Sequence, residues 1–339
     1  MEKVKRISIF AFCLMLMLAT GLMFVGCGKN KNNITLNEVT HSIFYAPLYV
    51  AYNMDFFGDE GINVTIESAT GSDASMTALL SGSADIILAG PETVVYASGT
   101  SDSPVIFGQL TQKDGSFFVS RDDVQNFSLQ MLKGTTIIGG RQGGLPAMTL
   151  EYIIRNAGLT IGTDTASGQV NLRTDVSFPM IGSEFVTSGA EYCTLFEPTA
   201  TNLQNEGNGH VLDAVGKFSG YLPYTCFATK SSYLKNNAEQ AEKFLRAVKR
   251  GYDYIANNDS EVVAQALLPS FSGMTIAEMQ IAVEQYLAID AWCSNPAMSE
   301  ESFDKLLEII NFCTKEQQYN PTYSSLVDNT IANKIANEG

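Results

Sequence analysis

From residue 34 onward the apolar positions switch between two rhythms. Alternation with period two marks "ITLNEV" (34–39), where Ile34 and Leu36 share a face, and "INVTIE" (62–67), where Ile62, Val64 and Ile66 do, as strands. Between them Pro47, Val50, Ala51 and Met54 fall at i, i+3, i+4 and i+7, the stripe of a helix whose first turn tolerates proline because no N–H is lost there. The stripe stops near Asp55 and Gly58. A helix over 72–83 and the strand "ADIILAG" (84–90) repeat the sequence strand, helix, strand, which predicts parallel strands joined by right-handed crossovers.

The same alternation returns in the middle of the chain. Strands are predicted at 135–140, 169–176, 191–196 and 210–215, with helices over 146–158, over "FPMIGSEFVTSG" and between the last two strands. A short echo links the halves, since "SGSADIILAGPE" (81–92) and "SGAEYCTLFEP" (188–198) share a Ser-Gly start, a strand and a closing Glu and Pro. Two extended segments, 109–121 and 221–230, read as paired hinge strands between lobes. Beyond 237 the pattern is helical, with starts at Asn237 and Ser260, a capping box at Thr275 and Glu278, and an apolar stripe of Phe303, Leu306, Leu307 and Ile310. The predicted fold class is α/β: two Rossmann-like lobes joined by two hinge crossings, with the C-terminal helices packed on lobe I. Lobe I takes 34–116 plus 226–339, and lobe II takes 117–225.

Open α/β sheets bind ligands beyond the carboxyl ends of their strands. The turns at 40–46, 68–72 and 90–93 lie there, which nominates His41, Tyr45, Ser72, Gly90, Glu92 and Thr93. The helix start at Ala46 and Pro47 would aim unpaired N–H groups at the same place. Tyr45, His41 and Tyr224 offer a flat wall and donors for a heteroaromatic ring, although a loop histidine also serves structure alone. Glu92 and Glu197 each follow a strand end, one per lobe. Together they would hold a ligand with N–H donors or positive charge, or each would cap its local helix. Gly143 and Gly144 before Pro146 form a nest for a polar or anionic group. His210 starts a strand away from this crevice and receives no role.

Composition adds limits. A chain of 339 residues, 45% hydrophobic, exceeds what one core comfortably serves, since single cores stop growing near ~250–300 residues. A net charge of −15 with no basic run excludes nucleic acid as a partner. There is no HExxH, no GxSxG, no P-loop and no Cys/His spacing for catalysis or a metal, so no cofactor is expected. "MEKVKR" followed by a long apolar run reads as a signal segment, 1–26, with 27–33 as linker. Gly26 and Cys27 resemble a bacterial lipobox, with Phe24 where leucine is usual; an uncleaved membrane span is the alternative. The lipobox implies a lipid anchor on Cys27. Cys193, Cys226, Cys293 and Cys313 are read as small buried hydrophobes, with a Cys293–Cys313 disulfide open as a second reading.

Two lobes behind a lipobox resemble the extracytoplasmic solute-binding protein of a bacterial ABC importer, in the family that binds nitrate, alkanesulfonates, taurine and the thiamine pyrimidine precursor. "YVAYNMDFFGDEGINV", "GSADIILAGPE", "LKGTTIIGG" and "TLFEP" are similar to its landmarks across the mature chain. The resemblance implies a periplasmic-binding-protein type II fold outside the cytoplasm. It also implies a monomer that closes on a small solute and hands it to a permease served by an ATPase. Three departures matter: Asp55 replaces a common glycine, "GGLPAM" replaces Gly-Ser-Thr at the second-lobe helix start, and Phe196 replaces a tryptophan before Glu197. Aspartate tolerates the turn's left-handed conformation, whereas the last two departures put an oxyanion in doubt and, with Glu197, favour a pyrimidine-like, N–H-bearing solute. Nitrate, alkanesulfonate or taurine is the alternative within the family. A tethered ligand sensor is another, and so is a thiamine-pyrimidine synthase, whose cysteine-rich motif is absent.

Overall fold

The computed structural model describes residues 32–100 and 102–338. The signal segment 1–26, the anchor Cys27 and most of the linker lie outside the described residues. In chain order the strands are β1 (Asn33–Glu38), β2 (Asn63–Ser68), β3 (Ile86–Ala89), β4 (Pro104–Thr111), β5 (Phe117–Ser120), β6 (Thr136–Ile138), β7 (Asn171–Arg173), β8 (Tyr192–Leu195), β9 (His210–Ala214) and β10 (Thr225–Lys230). They form two five-stranded sheets, ordered β2-β1-β3-β10-β4 and β7-β6-β8-β5-β9.

The two sheets share one plan. Three strands run parallel in each, β2-β1-β3 and β7-β6-β8, as the βαβ pattern predicts. The fourth strand in each is antiparallel to both neighbours, β10 in the first sheet and β5 in the second. These two are the strands on which the chain arrives after crossing from the other lobe. A βαβ rule reads only local connections and so does not foresee them. The echo segments end β3 and β8, which hold the same third place in their sheets. All of β3 is buried, because helices cover both of its faces.

The crossings are tied to each other. Thr111 and Thr225 stand opposite in the β4–β10 pair, their hydroxyls 2.6 Å apart, and Thr225 N–H donates to Thr111 Oγ1 at 3.0 Å. Tyr224 N–H donates to Thr111 O at 3.2 Å and Leu222 N–H to Gln112 O at 3.0 Å. The segments predicted at 135–140 and 169–176 shrink to β6 and β7, since the chain turns toward the cleft after Ile138 and Arg173.

Helix signals mostly appear where expected. Thr275 and Glu278 form a complete capping box. Asp259, not Ser260, caps the next helix upstream, its side chain accepting from Val262 N–H at 3.0 Å. Asp55 takes the left-handed conformation, φ 58°, that ends the first helix, a shape aspartate tolerates. The helix Glu300–Cys313 leaves the first lobe's surface to touch the second. Tyr152 donates to Glu308 Oε1 at 2.5 Å and accepts from Lys305 Nζ at 2.7 Å. The four cysteines are free. Cys293 N–H is held by Leu110 O at 3.2 Å, whereas Cys313 Sγ lies 3.5 Å from Met148 O, so the Cys293–Cys313 disulfide does not form.

The long helix Ala238–Asn257 buries Phe244, Leu245, Val248, Tyr252 and Ile255 as one stripe over the helix Ala46–Asn53. Their closest approach is at Gly251, where an added Cβ would sit 2.0 Å from Pro47 O. That neighbour is backbone and cannot swing aside. Gly251→Ala should therefore destabilise the protein by about 1–3 kcal/mol, read as a lower urea midpoint at unchanged slope.

Candidate functional site

The cleft begins with a short helical turn. Ser42 caps the 3-10 turn Ile43–Tyr45, accepting from Phe44 N–H at 3.2 Å, and the turn presents Phe44 and Tyr45 to the space between the lobes. This corrects the expectation that the start of the helix Ala46–Asn53 aims free amides there. Tyr45 N–H donates to Ser42 O and Ala46 N–H to Ile43 O, so the preceding turn uses those donors, and Pro47 packs against Gly251 instead.

The cavity holds about 80 Å³. One water needs roughly 10–15 Å³ on that scale, so it suits a small solute. From the first lobe Thr40, Tyr45, Ser72, Gly90 and Glu92 line it; from the second, Arg141, Gly144, Leu145, Ser177, Phe178 and Phe196; and from the returning crossing, Tyr224. Phe44 lies 5.3 Å from Phe196 and 5.7 Å from Tyr224, and Phe178 lies 5.4 Å from Phe196, ring centre to ring centre. The lobes also touch around it. Ser42 Oγ donates to Glu197 O at 3.0 Å, Tyr96 donates to Gly143 O at 3.2 Å, and Arg141 pairs with Asp73 at the mouth.

Glu92 is the central polar group. It follows β3, is 1% exposed, and reaches across the cleft so that Oε1 accepts Leu145 N–H at 3.2 Å, at the start of the helix Leu145–Asn156. No side chain caps that helix from its own lobe. Oε2 is buried with no hydrogen-bond partner. The carboxylate folds back over Gly90, where a Cβ would lie 2.0 Å from Oε2, so any side chain there would displace the carboxylate from this position. The local-cap reading of Glu92 is thereby displaced: it caps a helix of the opposite lobe.

Other candidates fall elsewhere. Glu197 takes its local-cap reading, with Oε2 accepting Thr201 N–H at 3.1 Å and Oε1 accepting Thr201 Oγ1 at 2.9 Å. Thr93 donates to Gly90 O at 2.8 Å and does not line the cavity. Gly143 offers only its carbonyl, to Tyr96. His41 sits outside the wall, stacked 4.5 Å over Phe271. Tyr49 donates to Glu38 Oε2 at 2.5 Å and so accepts from His41 Nδ1 at 2.6 Å; His41 Nε2 then donates to Ser270 O at 2.7 Å. The Glu38 carboxylate, 3.2 Å from Nδ1, favours the protonated ring and raises its pKa above the usual value. Phe44, Phe178 and Arg141 are wall residues that sequence reasoning passed over. Phe178 follows the end of a second-lobe strand, so the rule that nominated Tyr45 and Glu92, applied to both lobes, would have found it.

Residues 43–262 match the NMT1/THI5-like family. The chain belongs to that family. Over 91% of its length it is 36% identical to YtlA of Bacillus subtilis (strain 168), named as a candidate binding protein, of which it covers 92%. Among solved structures, one similar fold is the ligand-binding component of an ABC-type import system from Staphylococcus aureus, determined with zinc bound. It has TM-score 0.70 and 10% identity, over 90% of this chain and 99% of that one. Another is the periplasmic nitrate-binding protein NrtA of Synechocystis PCC 6803, with TM-score 0.65 and 13% identity, over 91% and 89%. The two-lobed fold is thus that of periplasmic binding proteins, and these relatives bind ligands rather than catalyse reactions.

Within this family member the cleft is acidic and aromatic. Burial pushes the Glu92 carboxyl up to about 7, with its own backbone N–H and then the Leu145 N–H offsetting only part. Burial likewise raises Asp114, beside the first crossing, to about 6, against Ser116 N–H at 2.8 Å. Glu197 is raised by burial too, with Thr201 opposing. The wall's one guanidinium, Arg141, is already paired, and that pairing holds Asp73 below the usual carboxylate range. Because the folded Glu92 pKa lies above its ordinary 4.5, its protonated form favours folding below pH 4.5, and this contribution is lost as pH rises through 7. Glu92→Gln should therefore melt higher than the parent at pH 8, by ~3 kcal/mol at most, with the difference vanishing near pH 4.5 in ligand-free calorimetry.

Proposed function

We propose that the protein is the solute-binding component of an ABC importer, held outside the cytoplasm by a lipid on Cys27, and that its lobes close on a small N–H-bearing or cationic heterocycle of the pyrimidine class. The observation that carries the ligand class is the buried, unpartnered Glu92 Oε2 in an aromatic cavity. A buried acceptor left unpaired costs about 1–3 kcal/mol, and a ligand N–H removes that penalty. An oxyanion in the same place would face a carboxylate. Phe178, Phe196 and Tyr224 supply flat faces for a ring, and their attraction grows if the ring is positive.

Closure follows from the bridging contacts. A solute that donates to Glu92 and stacks on Phe178 and Phe196 touches both lobes only when they are together, so its differential contacts shift the population toward the closed form. A permease and its ATPase are the partners that this role requires. The weight formerly shared with Glu197 and His41 moves to Glu92 and Tyr224.

Mass spectrometry of small molecules released from the native purified protein should find a heterocycle with an amino or ring N–H group at one per chain. Recovery of nitrate, taurine or an alkanesulfonate instead would replace this reading with its family alternative. For the anchor, Cys27→Ala should move the protein from the membrane fraction to the soluble one. Retention in the membrane fraction would point to an uncleaved span.

A further inference from the structure

We infer that Glu92 determines specificity by acting as the protein's own anion: Oε1 fills the place at the start of the helix Leu145–Asn156 where an anionic ligand would sit, and Oε2 is kept for a ligand donor. The inference rests on the reading of the cleft as a solute site and names the residue that sets its selectivity.

Three observations carry it. The first N–H of a twelve-residue helix points into the cavity, and such a terminus attracts negative charge through its unpaired donors and its dipole. Glu92 from the opposite lobe already sits on that donor, at 3.2 Å to Leu145 N. Its second oxygen is buried over Gly90 and has no partner, on a residue that lines the same cavity. Once ionised, above the pKa of about 7 to which burial raises it, a carboxyl so divided cannot give Oε1 to the helix start without presenting negative charge to whatever enters. It therefore rejects oxyanions and selects donors, and because Oε1 engages only when the lobes meet, recognition and closure use the same side chain. The device also makes a particular substitution informative. In Glu92→Gln the amide oxygen can keep the Leu145 N–H, while the NH₂ group replaces Oε2 and turns an acceptor into a donor. In Glu92→Ala the helix start is simply freed.

The test is isothermal titration of the full chain in detergent with methanesulfonate and, separately, with 4-aminopyrimidine, for the parent, Glu92→Gln, Glu92→Ala and Asp73→Asn. Methanesulfonate should bind both Glu92 variants at least roughly tenfold more tightly than it binds the parent, the change that about one hydrogen bond to a charged group provides. Equal methanesulfonate affinity in the parent and both variants overturns the inference. So does a gain confined to Asp73→Asn, which would make the freed Arg141 the selective group. Glu92→Gln keeps the side chain's shape, and thermal melting of each variant checks folding, so failure of the alanine variant leaves the glutamine comparison to decide. The aminopyrimidine arm is independent. If the parent does not bind it while the Glu92 variants gain methanesulfonate, the proposed ligand class fails and the assignment to Glu92 stands.

Discussion

A carboxylate taken out of water must find donors or lose its charge, and Glu92 is placed so that neither lobe alone can satisfy it. The first lobe gives it a strand end and a glycine to fold over; the second gives it one amide. Much of the cleft is arranged around this shortage. Gly90 is needed for the carboxylate to lie back, the 3-10 turn at Ile43–Tyr45 closes the apolar side, and Phe178 and Phe196 exclude solvent from the other. The remaining acceptor then stands in a largely aromatic enclosure whose one guanidinium, Arg141, is already paired, and on the proposed reading it selects what chemistry can enter.

What delivers Glu92 to its partner is the hinge. Two chain crossings whose threonines bond at 2.6 Å make a paired ribbon rather than two loose tethers. Each crossing ends in a strand that inserts antiparallel into the next sheet. In the proposed closure, motion of one lobe against the other would be channelled into a few residues around Gln112–Ser116 and Tyr221–Tyr224, so that the walls of the cleft would keep their register as they approach.

The two-lobed α/β plan was readable because it rests on local rhythm: period-two runs such as Ile62, Val64 and Ile66, and stripes such as that of Pro47, Val50 and Ala51. Antiparallel β5 and β10 were not readable, since their partners are brought together by the crossings and not by neighbours in sequence. For the site, strand ends nominated Tyr45, Ser72, Gly90 and Glu92, which line the cavity. Whether an acid caps its own helix or faces a ligand depends on a side-chain torsion, and no spacing encodes that. Glu197 turned to Thr201 and Glu92 turned to Leu145, although both follow equivalent strands. That the His41 ring is tied down in its loop was not readable because its partners, Tyr49 and Ser270, are 8 and 229 residues away.

The helix Glu300–Cys313 gives the molecule a second handle. Tyr152, on the helix whose start Glu92 holds, is gripped by Lys305 and Glu308 on the outer surface. On the proposed closure, opening would break contacts along that one helix on two sides, so the free energy separating open from closed would be divided between the solute and a patch it never meets. Sequence drift at Lys305 or Glu308 would then tune how tightly a solute is held without altering which solute is chosen, and affinity and selectivity would be separately adjustable properties of a single helix.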